Sequence, residues 1–234
     1  MSTVFEKGYG SLQNRLDNFE KYIRRQTMTR FLARYELFKL QANIKGSIVE
    51  CGVHHGGGVM AWAKLSSGLE PYAFDRRVIG FDTFEGFPSI HESDQGSISN
   101  ENSQMRVGGF ATGYDSFQEL TDVIQEYDQN RFLNQFSKVE LVKGDATHTI
   151  PQYIKENPHL LVSLLFLDFD LYEPTKVALD HFLHRMPKGA ILAFEEIHNP
   201  WWPGETQALL ETLDLRKTQV NRFPFEPNIS YIVL

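Results

Sequence analysis

The chain has 234 residues and a formal net charge of −7, from 30 acidic and 23 basic side chains. This acidic balance argues against a protein that coats nucleic acid, because such surfaces carry a basic excess. The hydrophobic content of 41% is typical of globular proteins, and no apolar run approaches the roughly 20 residues of a membrane-spanning helix, so we expect a cytoplasmic protein that binds no membrane.

The first 45 residues predict an N-terminal helical extension. Their start mixes both charges and lacks the apolar core of a secretory signal. Residues 12–43 have the apolar spacing of one or two amphipathic helices, which end before Gly46. Their apolar faces could form a subunit interface, so we expect a homodimer or a higher homo-oligomer.

Residues 46–234 predict one α/β domain. Five short apolar runs follow one another, at 47–53, 77–82, 138–145, 161–168 and 189–196. Helix-like stretches separate or follow them, at 59–69, 116–135, 147–156, 174–186 and 204–214. Because each run is continuous rather than alternating, its strand is expected to be buried on both faces of a mostly parallel, doubly wound, Rossmann-like sheet. The last residues, FPFEPNISYIVL, predict a final hairpin strand.

Two features interrupt this regular pattern. Residues 89–114 are polar, contain glycine and show no periodicity, which predicts a lid over the substrate side; a tolerated surface insertion is the alternative. Cys51, the single cysteine, excludes an intrachain disulfide. Its place at a strand end favours a buried thiol over a catalytic nucleophile.

Polar residues at the ends of the first three strands predict a site for an adenosyl ligand. In open α/β sheets ligands bind beyond the carboxyl ends of the strands. Asp82, after the second strand, is suited to accept hydrogen bonds from both hydroxyls of a ribose. Gly144 and Asp145, after the third strand, place an acceptor where it could meet an adenine amino group.

The glycine-rich loop after the first strand permits two cofactors. Residues 56–61 satisfy the G-x-G-x-x-A pattern of a dinucleotide site, with Asp82 at a suitable distance. These glycines, however, begin several residues after the strand should end, whereas a pyrophosphate loop begins at the strand end. The pattern E-x-G-x-x-x-G, from Glu50 to Gly56, instead fits a cofactor without a pyrophosphate. The loop alone therefore favours a methyltransferase only modestly over an NAD-dependent oxidoreductase.

Four carboxylates close the fourth and fifth strands, namely Asp168, Asp170, Glu195 and Glu196. Neighbouring strands lie about 4.8 Å apart, so these acids should meet at one edge of the sheet. Carboxylates packed so closely repel one another unless a positive group joins them. Mg²⁺ or Ca²⁺ would relieve the repulsion, because hard cations prefer oxygen ligands. A single acid at such a place would more often cap a helix or pair with a basic side chain, as we expect of Glu173.

Four segments in this order resemble the macrocin O-methyltransferase family: VECGVHHGGG, IGFDTFEGFP, LFLDFDLYEPT and ILAFEEI. The resemblance covers roughly residues 30–200, and FDTFEGFP and LDFDLYEPT are its most specific parts. Enzymes of this family methylate hydroxyls of deoxysugars on antibiotics, and their relatives act on nucleotide-linked sugars. The resemblance implies the seven-stranded sheet of class I methyltransferases, S-adenosylmethionine (SAM) as cofactor, and Mg²⁺.

The resemblance also implies roles for individual residues. Asp168, Glu195 and Glu196 would hold Mg²⁺, and Asp170 would be the general base. The residues expected to contact the cofactor are Glu50, Gly52, Val53, His54, Gly56, Asp82, Thr83, Gly144, Asp145 and Asp168. Asp82 would bind the ribose and Asp145 would lie near the adenine. The chain departs from the family at Glu195 and Glu196, where the family usually has two aspartates, so the longer side chains reach the same ion only if the backbone lies further back.

Candidate substrate residues are His198, Trp201, Trp202 and Arg30. The segment WWPGE resembles the subgroup that acts on nucleotide-linked deoxysugars. An indole could pack on a sugar or a base, or could simply anchor its loop to the core. Arg30 and Arg34, one turn apart, could meet a substrate diphosphate or form a surface salt bridge. His198 is an alternative base, although a polar loop favours substrate contact or simple solvation.

Three alternatives to a sugar O-methyltransferase remain at this point. A catechol-type O-methyltransferase would use the same loop and metal chemistry on a different acceptor. An NAD-dependent oxidoreductase would follow from the dinucleotide pattern and need no metal. A non-catalytic module would bind the adenosyl cofactor without turning over any acceptor.

Overall fold

The structure, a computed structural model, describes residues 3–96, 98 and 101–234. Residues 97, 99 and 100 of the predicted lid therefore lie outside the described part of the chain. The helices are α1 (Leu12–Leu16), α2 (Arg25–Gln41), α3 (Gly57–Leu69), α4 (Ser116–Gln129), α5 (Ala146–Glu156), α6 (Tyr172–Phe182) and α7 (Gly204–Thr212). The strands are β1 (Ser47–Cys51), β2 (Val78–Asp82), β3 (Val139–Lys143), β4 (Val162–Leu167), β5 (Ile191–Phe194), β6 (Asn221–Phe223) and β7 (Glu226–Val233). Short 3₁₀ turns cover Phe19–Lys21, Glu92–Asp94 and Leu183–Arg185.

These strands form one seven-stranded sheet in the order β3-β2-β1-β4-β5-β7-β6. The pairs among β1 to β5 are parallel, whereas β7 runs antiparallel to both β5 and β6. This arrangement confirms the doubly wound, mostly parallel sheet and the C-terminal hairpin. The strand order reverses between β1 and β4, and such a reversal opens a crevice at the carboxyl ends of the two strands.

Both faces of the sheet are covered by helices, which explains the continuous apolar runs. On one face, strand residues such as Val49 and Leu165 pack against α5, α6 and α7. On the other face, residues such as Ile48 and Phe166 pack against α2, α3 and α4. Alternate residues of one strand therefore point into different hydrophobic clusters, and few positions in the central strands are left for polar side chains.

The N-terminal region contains two helices of different character. No residue of α1 is buried. The longer α2 buries Ala33, Leu37 and Phe38 in the cluster that also covers β1 and β4. The boundary at residue 45 and the homo-oligomer remain predictions. Within the described residues, no helix is both long enough and apolar enough to cross a membrane.

Arg76, just before β2, connects the end of α2 to the starts of β1 and β4. Its side chain is buried and pairs with the Glu70 carboxylate, with 2.8 Å between Nε and Oε1. The guanidinium also donates to Gln41 Oε1, to Ser163 Oγ and to the carbonyls of residues 42, 44 and 46. All three guanidinium nitrogens of Arg76 thus donate hydrogen bonds, and several of the acceptors are backbone carbonyls.

We expect Arg76→Met to lower the free energy of unfolding by about 3–5 kcal/mol, because it leaves the Glu70 charge and several carbonyls without their donor. Urea unfolding followed by circular dichroism measures this change. Arg216→Met is the matched control, because the Arg216 side chain is 92% exposed and should change stability by no more than about 0.5 kcal/mol. Equal losses in the two variants would contradict the assignment of Arg76 as a buried connection.

Candidate active site

A cavity of about 220 Å³ lies at the carboxyl ends of the parallel strands, where the strand order reverses. Of the residues predicted to form the site, the cavity wall contains Arg30, Gly52, His54, Asp82, Thr83, Gly144, Asp145, Asp168, Asp170, Glu195, Glu196 and Trp202. The topology therefore brings together the two predicted halves, the adenosyl site and the carboxylate cluster. Glu50, Val53, Gly56, His198 and Trp201 are not part of this wall.

Asp82, at the end of β2, organises the loop that follows β1. Its Oδ2 accepts the backbone N–H groups of Val53 and His54 at 2.7 and 2.8 Å. Its Oδ1 accepts the N–H of Phe84 at 2.6 Å. The next residue, Thr83, donates its hydroxyl to the carbonyl of Gly86 at 2.6 Å and so shapes the turn after β2. A carboxylate has further lone pairs, so Asp82 can still accept from a ligand in the cavity.

Packing explains why glycine is needed at two positions of the first loop, which the sequence alone did not indicate. Gly52 has a φ of +91°, and a Cβ there would lie 1.9 Å from the carbonyl oxygen of Asp168. Gly56 has a φ of +81°, and its Cβ would overlap the Leu120 side chain. Close packing of β1 on β4 and of the loop on α4 therefore requires both residues, whatever ligand lies beyond them.

Glu50 lies beneath the glycine loop rather than in the cavity. Its carboxylate accepts the indole N–H of Trp62 and lies 3.9 Å from the Arg34 guanidinium. Burial raises the pKa of Glu50 to about 7, and the nearby Arg34 partly opposes the shift. Arg34 is buried against Trp62 and Phe166, so it is not placed to meet a substrate.

Asp145 closes β3 and begins α5. Its Oδ1 accepts the backbone N–H of Thr147 at 2.9 Å, which caps the helix. Together with Gly144, which has a φ of +139°, it forms part of the cavity wall. The position suits the predicted contact with an adenine, and the capping role explains independently why an aspartate stands there.

The carboxylates of Asp168, Asp170, Glu195 and Glu196 meet on one wall of the cavity. The carboxyls of Asp168 and Glu195 are close enough for each charge to disfavour ionisation of the other. Burial raises the pKa of Asp168 well above its usual range, and the charge of Glu195 raises it further. The pKa of Asp170 is raised well above its usual range by burial and by the charges of Glu196 and Glu195. Asp170 also has a φ of +63°, which is uncommon for a residue with a side chain.

Arg30 supplies positive charge to this wall. Its guanidinium contacts Oε1 of Glu195, which is buried. It also lowers the pKa values of Asp170 and Glu196, in opposition to burial. Arg30 therefore forms a salt bridge, as one alternative predicted, but the bridge lies in the cavity and leaves the Arg30 side chain 46% exposed. Positive charge here can both balance the acids and face a bound anion.

The metal site remains a prediction. The four carboxylates supply the oxygen donors that Mg²⁺ prefers. Within the described part of the chain, however, no three His, Cys, Asp or Glu side chains are already arranged to hold an ion. Glu195 contacts Arg30, and Glu196 accepts a hydrogen bond from the Asn199 amide. Occupancy by a cation would therefore require these two glutamates to exchange or share their present partners.

Aromatic side chains also line the cavity. The Trp202 ring packs against Phe87 and Phe110, with centroid distances of 5.7 and 5.5 Å. Trp202 is buried, whereas Trp201 is exposed. His198 has a φ of +66°, and its N–H donates to Thr206 Oγ1. Of the residues predicted to contact substrate, Trp202 and Arg30 thus face the cavity, and the roles of Trp201 and His198 lack this support.

The described part of the predicted lid rests on the cavity. Phe110 lies 6.0 Å from the His54 ring, and the backbone at Gly108 and Gly109 hydrogen-bonds to Phe87. Near the other end of the segment, buried Asp94 accepts the N–H of Tyr172, at the start of α6. Phe87, Phe110 and Asp94 were not predicted as site residues. A hydrophobic residue within a polar segment, such as Phe110, was the one signal that could have indicated a contact with the cavity.

The sheet order and the cavity at its switch point define a class I SAM-dependent methyltransferase. The profile of the macrocin O-methyltransferase (TylF) family matches residues 21–199, and the chain belongs to this family. It is therefore a SAM-dependent O-methyltransferase, and the alternative of an NAD-dependent oxidoreductase is wrong. No curated protein matches the chain significantly.

Solved structures support the same assignment. A crystal structure of CalS11, a calicheamicin methyltransferase, is similar at a TM-score of 0.90 and 31% identity, over 97% of this chain and 87% of that one. An apo structure of CalS11 is described as a TDP-rhamnose 3'-O-methyltransferase of calicheamicin biosynthesis. It has a TM-score of 0.83 and 29% sequence identity, over 98% of this chain and 89% of that one. The O-methyltransferase NovP has a TM-score of 0.64 and 19% sequence identity, over 87% of this chain and 78% of that one, which is a likeness of fold alone.

Two neighbouring glycines test the packing beneath the site. A Cβ on Gly58 would lie 2.0 Å from Glu50 Oε1, whereas a Cβ on Gly57 would meet nothing within 4 Å. We expect Gly58→Ala to lower the free energy of unfolding by about 1–3 kcal/mol, because the buried carboxylate must move. The matched variant Gly57→Ala should raise it by about 0.5–1 kcal/mol, as alanine favours the helix. Chemical unfolding of both proteins measures the pair, and a Gly58→Ala protein as stable as the wild type would contradict the contact.

Proposed function

We propose that the protein transfers the methyl group of SAM to a hydroxyl of a deoxysugar linked to a nucleotide. The observation that carries the proposal is the position of Asp170, in the same cavity as Gly52, Asp82 and the aromatic side chains of Phe87, Phe110 and Trp202. The similarity to CalS11, which is described as acting on TDP-rhamnose, supports an acceptor of this class.

The cofactor would lie along the ends of β1, β2 and β3. When bound, SAM would supply the methyl group, and its sulfur would leave as the neutral thioether of S-adenosylhomocysteine. Asp82 would accept hydrogen bonds from the ribose hydroxyls, and Asp145 would lie near the adenine. The Asp82 carboxylate holds the loop from Gly52 to His54 through the backbone N–H groups of Val53 and His54. A rigid loop at this place would help to orient the bound cofactor toward the acceptor.

Asp170 would act as the general base. A sugar hydroxyl holds its proton far above neutral pH, so the proton must leave as the oxygen attacks the methyl carbon. A carboxylate with a raised pKa is a stronger proton acceptor than an ordinary one. Burial and the charges of Glu196 and Glu195 raise the pKa of Asp170 in this way. The proton would pass from the acceptor oxygen to the Asp170 carboxylate.

Asp168, Glu195 and Glu196 would hold Mg²⁺. The fit rests on the donor set: the three carboxylates line the same cavity and repel one another unless a proton or a cation intervenes. When bound, the ion would lower the pKa of the acceptor hydroxyl. Arg30 contacts Glu195 and would turn to an anionic part of the acceptor, such as a diphosphate. Trp202 would pack against the sugar or the base of the acceptor.

An acceptor screen tests the activity. Incubation with SAM and Mg²⁺ should methylate nucleotide-linked deoxysugars in preference to free sugars and catechols, with the product identified by mass spectrometry. Methylation of catechols alone would replace this proposal with the catechol-type alternative. A protein that binds S-adenosylhomocysteine (SAH) but methylates no member of a broad panel would fit a non-catalytic binding module.

Asp170→Asn tests the base. Its kcat should fall by about 10²–10⁴-fold, the usual contribution of a general base, while calorimetric titration with SAH gives unchanged affinity. Asp180→Asn is the matched control, because Asp180 lies on the outer face of α6 and pairs with Lys176; this variant should keep wild-type turnover. Appreciable turnover by Asp170→Asn would remove Asp170 as the base.

Removal of the metal tests the proposed Mg²⁺ site. Treatment with EDTA should lower turnover by about two orders of magnitude, and Mg²⁺ should restore it, because the ion stabilises developing charge. Calorimetry should detect Mg²⁺ binding to the wild type and to Asp180→Asn but not to Glu195→Gln. Full activity in EDTA, with no binding heat, would show that the carboxylates act without a metal and that Arg30 alone balances their charge.

A further inference from the structure

Glu205 is a fully buried carboxylate whose place in the site neither the sequence nor the family match indicated. It is the second residue of α7 and has no exposed surface. Among the described residues, no lysine or arginine forms a salt bridge with it. Its two oxygens instead accept backbone N–H groups from two different segments.

These N–H groups belong to the segments that carry the predicted base and a predicted metal ligand. Glu205 Oε1 accepts from Phe169 at 3.1 Å and from Asp170 at 3.2 Å. Glu205 Oε2 accepts from Glu196 at 3.1 Å. Both segments have just left the sheet, after β4 and β5, where backbone N–H groups lose their partners in the ladder. One side chain thus joins the two strand ends through their main chains.

The neighbouring glycine shows how α7 comes close enough. A Cβ on Gly204 would lie 2.2 Å from Asp94 Oδ1 and 2.4 Å from the backbone nitrogen of Tyr172. The start of α7 is therefore packed directly on the start of α6. The end of the WWPGE segment then has a physical explanation, since the glycine permits the approach and the glutamate makes the three hydrogen bonds.

This placement is costly, which argues that it serves more than packing. Glu205 is fully buried and, among the described residues, has no basic partner, so three backbone N–H groups are all that replaces its lost hydration. An apolar side chain of similar size would fill the same space without the desolvation cost. It would leave three N–H groups unpaired and Asp170 free to depart from its φ of +63°.

We propose that Glu205 is a positioning residue for methyl transfer, which acts by holding the backbones of Asp170 and Glu196 in a fixed relation to each other. Asp170 and Glu196 touch the cavity, and Glu205 acts only through them. The inference rests on the proposed function for the role of Asp170 as base. The geometric part, the connection between two strand ends, does not depend on that role.

Glu205→Gln is the informative substitution. Glutamine keeps the length and one accepting oxygen but replaces the other with an NH₂ donor, so at least one of the three N–H groups loses its acceptor. Hydrogen–deuterium exchange should become about tenfold faster at residues 169–170 or 196, the effect of one lost hydrogen bond, and should stay unchanged in β1, β2 and β3. In the acceptor assay, kcat should fall by about 10²-fold, as for a small misplacement of a reacting group, with acceptor KM and SAH affinity unchanged.

Glu211→Gln is the matched control, because Glu211 lies on the same helix and accepts a hydrogen bond from the Tyr172 hydroxyl at an exposed position. It should leave kcat and exchange at these segments unchanged. If Glu205→Gln lowers the melting temperature of the whole chain, Glu205→Asp, which keeps the charge but shortens the reach, takes its place and should show the same local pattern.

Wild-type exchange and wild-type kcat in both Glu205 variants would overturn the inference. Loss of SAH binding together with faster exchange throughout the sheet would also overturn it, because that result identifies a general structural residue. The exchange experiment needs neither cofactor nor acceptor. A wild type that methylates no sugar would therefore defeat the proposed function while the exchange result still decides whether Glu205 joins the two segments.

Discussion

Five carboxylates share a small volume at the ends of β4 and β5, and the arrangement of the site follows from how their repulsion is balanced. Asp168 and Glu195 line the same cavity, and Arg30 reaches Glu195 from α2. Buried Glu205 is balanced differently, by three backbone N–H groups. Charges removed from water must be compensated by opposite charge, by hydrogen bonds or by protonation. Opposite charge and hydrogen bonds both operate here, while burial and mutual repulsion still raise the pKa values of Asp168, Asp170 and Glu205.

The sheet topology makes such a cluster possible. Reversal of the strand order between β1 and β4 sends their following loops in opposite directions and opens the cavity between them. Gly52 allows the two strand ends to approach, since any side chain there would overlap the Asp168 carbonyl. Asp82 then fixes the loop after β1 through its N–H groups. The cofactor half and the acid half are thus held at a set distance by backbone contacts, and a methyl donor and an acceptor need such a distance.

The sequence predicted the sheet and the gathering of acids because both depend on local patterns. Apolar runs mark buried strands, and polar residues at their ends mark the edge where ligands bind. The direction of a side chain within that edge is set by packing rather than by local pattern: Glu50, predicted to contact the cofactor, lies outside the cavity wall and accepts a hydrogen bond from Trp62, so its contact with the cofactor stays a prediction. Glu205 was missed because its partners are backbone N–H groups distant in the chain: those of Phe169 and Asp170 lie 36 and 35 residues earlier, and that of Glu196 lies nine residues earlier. Nothing in local spacing indicates such contacts.

The Arg30 contact also bears on where the functional unit begins. Arg30 belongs to α2, within the region predicted as an extension of the domain, yet its guanidinium balances a buried glutamate at the end of β5. The apolar face of α2 packs in the same cluster as β4, so the helix is held firmly enough to place that charge. Without α2, Glu195 would lose the basic side chain it contacts. A buried carboxylate in that state must take up a proton or bind a cation. The N-terminal region is therefore part of the electrostatics of the site, wherever the domain boundary is drawn.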